Sequence, residues 1–221
     1  MTPKILIVDD EPGIRNLISA YLRNEGYELQ EAFDGPSAVK ISQSFKPDLI
    51  ILDIMLPGMD GLEVLSLIRQ HADPYVIFLT AKTEETDKIV GLTLGGDDYV
   101  TKPFSPRELT ARIKSALRRE QNKPEKQSEL TSEHIRLNPN SRQIWVEENL
   151  LDFTQVEFDI LHTFMIHQHQ VLSREQLLQH VWGYEFYGET RTVDVHVGHV
   201  RKKLGGRFIT TIRGVGYRFD D

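Results

Sequence analysis

The first 120 residues alternate five short strand-like runs, most of them apolar, with segments of helical spacing, and this alternation constrains the fold more than any other feature. The runs cover residues 4–8, 27–32, 49–52, 75–79 and 98–100. Strands that are apolar along their whole length are typical of parallel sheets with helices on both faces. We therefore predict a doubly wound α/β domain over residues 1–120, built on a five-stranded parallel sheet.

The second half of the chain begins with a change of pattern. Residues 121–129 are polar, contain Pro124 and show no apolar period, so we interpret them as a linker. Short strand candidates follow at 135–137, 143–146 and 150–152. They indicate that a second domain begins near residue 130.

Three helical segments and a hairpin complete this second domain. The third helix covers about residues 190–204 and is followed by two glycines. Strand candidates at 208–212 and 217–219 then enclose a glycine-rich turn. These elements predict an α+β winged helix-turn-helix domain over residues 130–221. Capping boxes begin the first two of these helices, Thr154 with Glu157 and Ser173 with Gln176, and Ser105 with Glu108 begins the last helix of the first domain.

Charge and composition limit the cellular setting and the partners. The chain has no cysteine, no apolar run of membrane-spanning length and no signal peptide before its first strand, so we expect a cytoplasmic protein without membrane association. The net charge of −7 weakly disfavours nucleic-acid binding. However, residues 191–218 hold seven basic residues against a single acidic one. Such a stripe is typical of a DNA-contacting surface, although for the stripe alone a solvated charged face is the better explanation.

Residues suited to phosphate chemistry come directly after four of the apolar runs. They are Asp9 and Asp10, Asp53, Thr80 and Lys102. Ligands of open parallel sheets bind beyond the carboxyl ends of the strands, so we expect all of these side chains to converge on one edge. Three crowded carboxylates suit Mg²⁺, and a carboxylate can itself accept a phosphoryl group. Each residue alone has an ordinary structural explanation, and their joint placement is what favours a site.

The first domain also closely resembles the receiver domains of bacterial response regulators, which have a flavodoxin-like fold. The resemblance covers residues 3–120 and implies that a sensor histidine kinase phosphorylates Asp53. The matching stretches are Ile-Leu-Ile-Val-Asp9-Asp10-Glu11, Asp53-Ile-Met-Leu-Pro57-Gly-Met-Asp60-Gly61, Thr80-Ala81 and Gly95-Gly-Asp97-Asp98-Tyr99-Val-Thr-Lys102-Pro103-Phe104.

The same resemblance implies a role for each residue of the site. Asp10, Asp53 and the backbone carbonyl of Met55 would bind Mg²⁺, with Asp9 assisting through water. The Lys102–Pro103 peptide would be cis. The phosphoryl group would be held by Lys102 and Thr80, and Tyr99 would move into the space that Thr80 leaves, although an ordinary core tyrosine is the alternative.

Response regulators that resemble this chain form a homodimer when phosphorylated. The surface consists of the helix between the fourth and fifth strands, the fifth strand and the following helix. One departure is Thr93, which stands where the family usually has glutamate, and it should weaken the dimer modestly. The dimer residues implied by the resemblance are Lys88 with Glu108 and Asp98 with Arg112, and Asp97, Arg118 and Arg119 nearby.

The second domain resembles the effector domains of the OmpR/PhoB family over residues 130–220. Promoter DNA is then the expected partner, and RNA polymerase a further candidate. The matches are Leu151-Asp-Phe-Thr-Gln-Val-Glu-Phe158, Leu172-Ser-Arg-Glu-Gln-Leu177, Val181-Trp-Gly183, Arg191-Thr-Val-Asp-Val-His196, Val200-Arg-Lys-Lys-Leu204 and Thr211-Ile-Arg-Gly-Val-Gly-Tyr217.

Helical spacing predicts which face of the third helix reads DNA. Val193, Val197, Val200 and Leu204 form a stripe that should face the core. The opposite side would enter the major groove, and the hairpin tip would reach the minor groove or a phosphate. The predicted DNA contacts are Arg191, Thr192, Val195, His199, Arg201, Lys202, Lys203 and Arg213.

The sequence leaves other functions to be weighed against a phosphorylated transcription regulator. A regulator that works without phosphate is disfavoured by the intact set of site residues. An aspartyl-phosphate hydrolase would need a general acid two residues after Asp53, where Met55 stands, so we do not expect a turnover enzyme. Nucleotide binding lacks a Gly-x-x-x-x-Gly-Lys loop. A histidine metal site is disfavoured because His162, His167 and His169 do not share one helical face.

Overall fold

The computed structural model describes residues 2–80, 95–121, 128–183 and 190–221, with the side chains of 119–121 left aside. The chain divides into two compact units, Met1–Gln121 and Asn122–Asp221, and each is described by itself. None of the described helices is both long enough and apolar enough to cross a membrane.

The first unit is a five-stranded parallel sheet with helices packed around it, in the strand order β2-β1-β3-β4-β5. This confirms the predicted flavodoxin-like fold. The predicted helix between β4 and β5 falls largely on residues 81–94, outside the described residues. The elements are β1 (Lys4–Val8), α1 (Pro12–Arg23), β2 (Glu28–Ala32), α2 (Gly35–Phe45), β3 (Leu49–Asp53), α3 (Gly61–Arg69), β4 (Tyr75–Thr80), β5 (Asp98–Thr101) and α4 (Pro106–Gln121).

The three central strands form the core of this unit, because residues of β1, β3 and β4 are buried on both faces. Their register is level at the carboxyl end. Val8 pairs with Leu52, Leu52 with Phe78, and Asp53 with Leu79. The residues that end β1, β3 and β4 therefore reach the same edge of the sheet.

The second unit has a four-stranded antiparallel sheet, three helices and a terminal hairpin, which confirms the predicted winged-helix fold. Two very short strands, β6 and β10, were not predicted. The elements are β6 (Leu130–Thr131), β7 (Ile135–Asn138), β8 (Gln143–Val146), β9 (Asn149–Leu151), α5 (Gln155–Ile166), β10 (Val171–Ser173), α6 (Arg174–Trp182), α7 (Arg191–Lys203), β11 (Ile209–Ile212) and β12 (Gly216–Phe219).

The two capping boxes predicted in this unit are present. Glu157 accepts from the backbone N–H of Thr154 at 2.9 Å, and Gln176 accepts from that of Ser173 at 2.8 Å.

The third predicted box, at the start of α4, is formed only in part. The backbone N–H of Glu108 lies 3.5 Å from Ser105 Oγ, whereas the Glu108 carboxylate accepts from Arg112 at 2.7 Å. A guanidinium is a stronger partner for a carboxylate than a backbone amide, which accounts for the difference.

The terminal hairpin joins β10 to form a second, three-stranded sheet in the order β10-β12-β11. Gly216 begins β12 against Ser173, and a Cβ built on Gly216 would lie 2.0 Å from the carbonyl oxygen of Leu172. Only glycine allows the two backbones to approach so closely.

Gly216→Ala should therefore destabilise the second domain, by about 1–3 kcal/mol, because β12 must move away from β10. The matched control is Gly198→Ala. A Cβ at Gly198 meets nothing within 4 Å on α7, and the change should stabilise by about 0.5–1 kcal/mol. Both tryptophans lie in the second domain, so urea unfolding followed by tryptophan fluorescence measures its stability. Equal effects of the two substitutions would contradict the packing argument.

Candidate functional site

Lys102 lies at the centre of a charged cluster at the carboxyl edge of the first sheet. Its Nζ is 2.6 Å from Asp53 Oδ2 and 2.8 Å from Asp9 Oδ2, and it is 3.6 Å from the carboxylate of Glu11. The side chains of Asp9 and Asp53 are almost completely buried. Residues 93 positions apart in the sequence therefore meet in one site, as the strand pattern predicted.

The charges in this cluster influence one another. Burial raises the pKa of Asp9, and the hydrogen bond from Lys102 opposes that rise without cancelling it. Burial alone would lower the pKa of Lys102, but its hydrogen bonds to Asp53 and Asp9 outweigh burial and raise it. Lys102 is therefore a fixed positive charge at physiological pH.

Three carboxylates of the cluster are placed so that they could share one cation. Oxygen atoms of Asp9, Asp10 and Asp53 lie within 4.8 Å of one another, and the described residues contain no other such group of three. Asp9 Oδ1 accepts from the N–H of Glu11 and Asp53 Oδ1 from that of Met55, both at 2.9 Å. An all-oxygen donor set with an excess of negative charge fits a hard divalent cation such as Mg²⁺.

The backbone around Asp53 is tightly constrained. The first residue of α3 is Gly61, and a Cβ there would lie 2.2 Å from the carbonyl oxygen of Asp53. The Gly61 N–H donates to the carbonyl of Ile54 at 2.9 Å. The helix can therefore start directly against the loop that follows β3. On the far side, the Lys102–Pro103 peptide is cis, as the family resemblance implied.

The two predicted switch residues are on neighbouring strands. Thr80 ends β4 and is 1% exposed, and Tyr99 lies on β5 and is 9% exposed. Lys102 follows β5, and its N–H donates to the carbonyl of Thr80 at 2.7 Å. Thr80 is thus linked through the backbone to the residue that carries the central ammonium.

Arg15 is a site residue that the sequence analysis missed. Its Nη1 donates to the carbonyl oxygens of Asp9 at 2.7 Å and Asp10 at 3.1 Å, and its Nε lies 3.5 Å from Glu31 on β2. Arg15 therefore ties the acidic loop to its neighbours. An arginine in the first turn of the helix that follows an acidic pair was the available sequence signal.

Part of the predicted dimer surface makes internal contacts instead. Arg112 Nη1 is 3.0 Å from both carboxylate oxygens of Asp98, and Asp97 accepts from Arg69 and from the N–H of Val76, each at 2.8 Å. Asp97 and Asp98 are each 1% exposed and Arg112 is 6% exposed.

These three residues therefore do not lie on the surface where we expected them, because each carboxylate has a guanidinium partner inside its own domain. Glu108 is half-buried and Arg118 is exposed. Lys88, the side chain of Arg119 and the atypical Thr93 lie outside the described part of the chain.

In the second domain, α7 buries the predicted stripe of Val193, Val197, Val200 and Leu204. It also buries Thr192, which is 0% exposed, and His196. The prediction that Thr192 contacts DNA is therefore wrong. The buried face is wider than the stripe because α7 packs against both α5 and α6.

Three further predicted DNA contacts are engaged within the domain. Lys203 Nζ lies 2.6 Å from Glu157 Oε2 and donates to the carbonyl of Asp152 at 2.8 Å. His199 Nδ1 is 3.6 Å from the same Glu157, and burial lowers the pKa of His199.

Arg201 donates to the carbonyl of Ile209 at 3.1 Å and to Thr211 Oγ1 at 3.0 Å. Lys203, His199 and Arg201 therefore make contacts that hold α7 within the domain, although Lys203 is exposed and the other two are half-buried. Among the other predicted DNA contacts, Arg191, Lys202 and Arg213 are exposed and Val195 is half-exposed.

Comparisons with known proteins agree with both domains. The model of the response regulator receiver domain matches residues 5–114, and that of the C-terminal domain of transcriptional regulatory proteins matches residues 147–219. The chain is 42% identical to PhoP of Bacillus subtilis, described as an alkaline phosphatase synthesis transcriptional regulatory protein, with 100% of this chain and 98% of PhoP covered. The chain belongs to the OmpR/PhoB family of two-component response regulators.

Two solved structures have the same fold over nearly the whole chain. A C128S mutant of RitR matches with a TM-score of 0.79 at 28% identity, covering 98% of each chain. DrrB of Thermotoga maritima, described as an OmpR/PhoB homologue, matches with a TM-score of 0.54 at 29% identity and 100% coverage of both chains. This response regulator thus combines a receiver domain with a DNA-binding domain of the OmpR type and functions in transcription regulation.

Arg15→Ala should raise the Mg²⁺ concentration that half-saturates phosphorylation by acetyl phosphate by about tenfold. The reason is that loss of a residue that orients metal ligands typically lowers the metal affinity on that scale. Arg23→Ala is the matched control, since Arg23 is on the same helix, is 71% exposed and lies 4.0 Å from the same Glu31. Equal Mg²⁺ requirements in the two variants would show that Arg15 does not organise the acidic loop.

Proposed function

We propose that Asp53 accepts a phosphoryl group from a sensor histidine kinase and that this modification controls promoter binding. The observation that carries the proposal is the 2.6 Å contact between Lys102 Nζ and Asp53 Oδ2 inside a cluster of three carboxylates. An ammonium already bound to the accepting carboxylate is placed to stabilise the negative charge of the phosphoryl oxygens.

The transfer forms one bond and breaks one. A carboxylate oxygen of Asp53 attacks the phosphorus of the phosphohistidine, and the P–N bond breaks to leave the imidazole with the electron pair. Lys102 and the Thr80 hydroxyl hold the phosphoryl oxygens. Mg²⁺, when bound, neutralises charge on the phosphoryl and carboxylate groups. Asp10, Asp53 and the Met55 carbonyl would bind it, with Asp9 assisting through water.

We propose that the signal leaves the site through Thr80 and Tyr99. Phosphorylation adds roughly −1.5 to −2 charges, which attract Lys102 and the Thr80 hydroxyl. Tyr99 then occupies the space beside Thr80, and the surface next to β5 becomes able to dimerise. Lys88, Glu108, Arg118 and Arg119 are the dimer contacts we retain.

DNA binding is assigned to the exposed face of α7 and to the hairpin. Arg191, Val195 and Lys202 would face the major groove, and Arg213 would reach the minor groove or a phosphate. The partners are then a cytoplasmic histidine kinase domain, double-stranded promoter DNA and RNA polymerase, for a protein that works in the cytoplasm. Lys203, Arg201 and His199 serve to hold α7 in place.

Asp53→Asn should abolish the response of DNA binding to beryllofluoride and Mg²⁺, which mimic the phosphoryl group. Wild-type protein should become dimeric and bind tandem half-sites more tightly, whereas the variant should stay at its basal affinity. Asp60→Asn is the control, because Asp60 caps α3 by accepting from the N–H of Glu63 at 2.8 Å and asparagine caps equally well. Gel-shift titration and light scattering measure the two responses. An unchanged affinity of fully modified wild type would refute the gating.

Lys202→Ala and Arg213→Ala should each weaken DNA binding and reduce the slope of log affinity against log salt by about one. Arg207→Ala is the comparison variant, since Arg207 pairs with Glu147 at 3.0 Å and lies beyond the end of α7. If all three variants changed the affinity and the salt slope equally, DNA would be bound by a general basic surface, and the specific assignment of Lys202 and Arg213 would be wrong.

A further inference from the structure

A side-chain cluster in the second domain joins α6, α7 and β12, the elements around the proposed DNA surface. Asp194 on α7 accepts two hydrogen bonds at a single oxygen, Oδ1. One comes from Arg174 Nε at 2.7 Å, at the start of α6, and the other from the Tyr217 hydroxyl at 2.6 Å, on β12. Arg174 Nη2 also lies 3.5 Å from the Tyr217 hydroxyl. We call these three residues the Asp194 cluster.

The ring of Tyr217 is held by cations as well as by its hydroxyl group. The guanidinium carbon of Arg174 lies 5.1 Å from the ring centroid and that of Arg201 lies 5.8 Å from it. Such contacts attract through the ring quadrupole. Because Arg201 also donates to β11, the hairpin is attached to α7 on both of its strands.

Tyr217 remains a hydrogen-bond donor throughout the physiological pH range. Its side chain is 5% exposed. Burial, and then the hydrogen bond to Asp194, raise the pKa of Tyr217 to about 12. The hydroxyl therefore keeps its proton at neutral pH and donates it to the Asp194 carboxylate at 2.6 Å, which is a charge-assisted hydrogen bond.

A carboxylate such as Asp194 is electrostatically unfavourable for DNA binding when it lies on the helix that contacts DNA. It is the one acidic residue among the seven basic residues of 191–218, and its side chain is 37% exposed. A carboxylate on this helix repels phosphates. The contacts of Asp194 indicate a structural reason for its presence, because it joins α7 to Arg174 on α6 and to Tyr217 on β12.

The orientation of the hairpin tip depends on where β12 is attached to α7. β11 ends at Ile212 and β12 begins at Gly216, so Arg213 lies in the connecting turn. Tyr217 is the second residue of β12 and is bound to α7 through Asp194. The bond therefore fixes the direction in which the turn projects from α7.

We propose that Asp194 is a positioning residue for DNA binding, which holds the hairpin carrying Arg213 at a set orientation to α7. This rests on the proposed assignment of α7 and the hairpin to DNA. Asp194 does not itself contact DNA.

Asp194→Asn distinguishes a positioning role from an effect of charge, because the two predict opposite changes in the affinity for the specific DNA site. The substitution removes a negative charge next to DNA, so electrostatics alone would tighten binding and tighten it equally on every sequence. Positioning predicts about tenfold weaker binding to the specific site and unchanged or tighter binding to unrelated DNA. Tyr217→Phe, which removes only the hydroxyl, should weaken specific binding in the same direction without altering net charge.

Double variants of the full-length protein test whether the effect passes through Arg213. In an Arg213→Ala background, Asp194→Asn should weaken specific binding by less than about threefold, because the contact that it positions is already lost. Lys202→Ala combined with Arg213→Ala is the control pair and should show multiplicative effects. Thermal melts of all variants exclude loss of folding, and Tyr217→Phe serves if Asp194→Asn does not fold.

Tighter specific binding by Asp194→Asn, or full additivity of Asp194 and Tyr217 substitutions with Arg213→Ala, would overturn the proposal. Failure of the underlying function has a different outcome. In that case neither Arg213→Ala nor Lys202→Ala would change the affinity for DNA.

Discussion

The ammonium of Lys102 bound between the carboxylates of Asp53 and Asp9 is the interaction on which the first domain's chemistry depends. Three buried or crowded carboxylates repel one another, and a single lysine neutralises only part of their charge. The remaining negative charge suits a divalent cation. In the function that we propose, the lysine is in place to bind the incoming phosphoryl group. The domain achieves this because parallel strands end at one edge of the sheet, so that Asp53 at the end of β3 meets Asp9 and Lys102, which directly follow β1 and β5.

Carboxylates that accept hydrogen bonds from several partners organise the second domain as well. Glu157 caps α5 and also binds Lys203 from the end of α7, and Asp194 binds Arg174 and Tyr217. Several cations of the basic stripe therefore hold α7 and the hairpin in position. The cations left for DNA are fewer than the sequence suggests, and their placement relative to one another becomes correspondingly important.

The sequence predicted the fold well, and it predicted that Asp9, Asp53 and Lys102 meet at one edge of the sheet, because both predictions start from the local pattern of each strand. Runs that are mostly apolar identified the five strands, and the strand ends then indicated which polar residues could meet. It was less informative about charged surfaces. The hydrophobic spacing predicted which side of α7 faces the core but not how wide the buried face is. Thr192 was therefore assigned to the DNA-facing side, although it is buried.

Long-range ion pairs were the second source of error. Lys203 pairs with Glu157, 46 residues earlier, and Asp97 pairs with Arg69, 28 residues earlier. No local pattern indicates such partners, so the sequence analysis missed both ion pairs and placed the buried Asp97 on the surface. Short strands such as β6, with two residues, are likewise too brief for any periodicity to appear.

The most direct test of the account is the site and metal dependence of phosphorylation. The full-length protein would be incubated with acetyl phosphate over a range of Mg²⁺ concentrations and analysed by intact and peptide mass spectrometry. The account predicts one phosphoryl group per chain, located on the peptide that contains Asp53 and formed at a rate that rises with Mg²⁺ and falls to background in EDTA. Modification at another residue, or equally fast modification without a divalent cation, would contradict it.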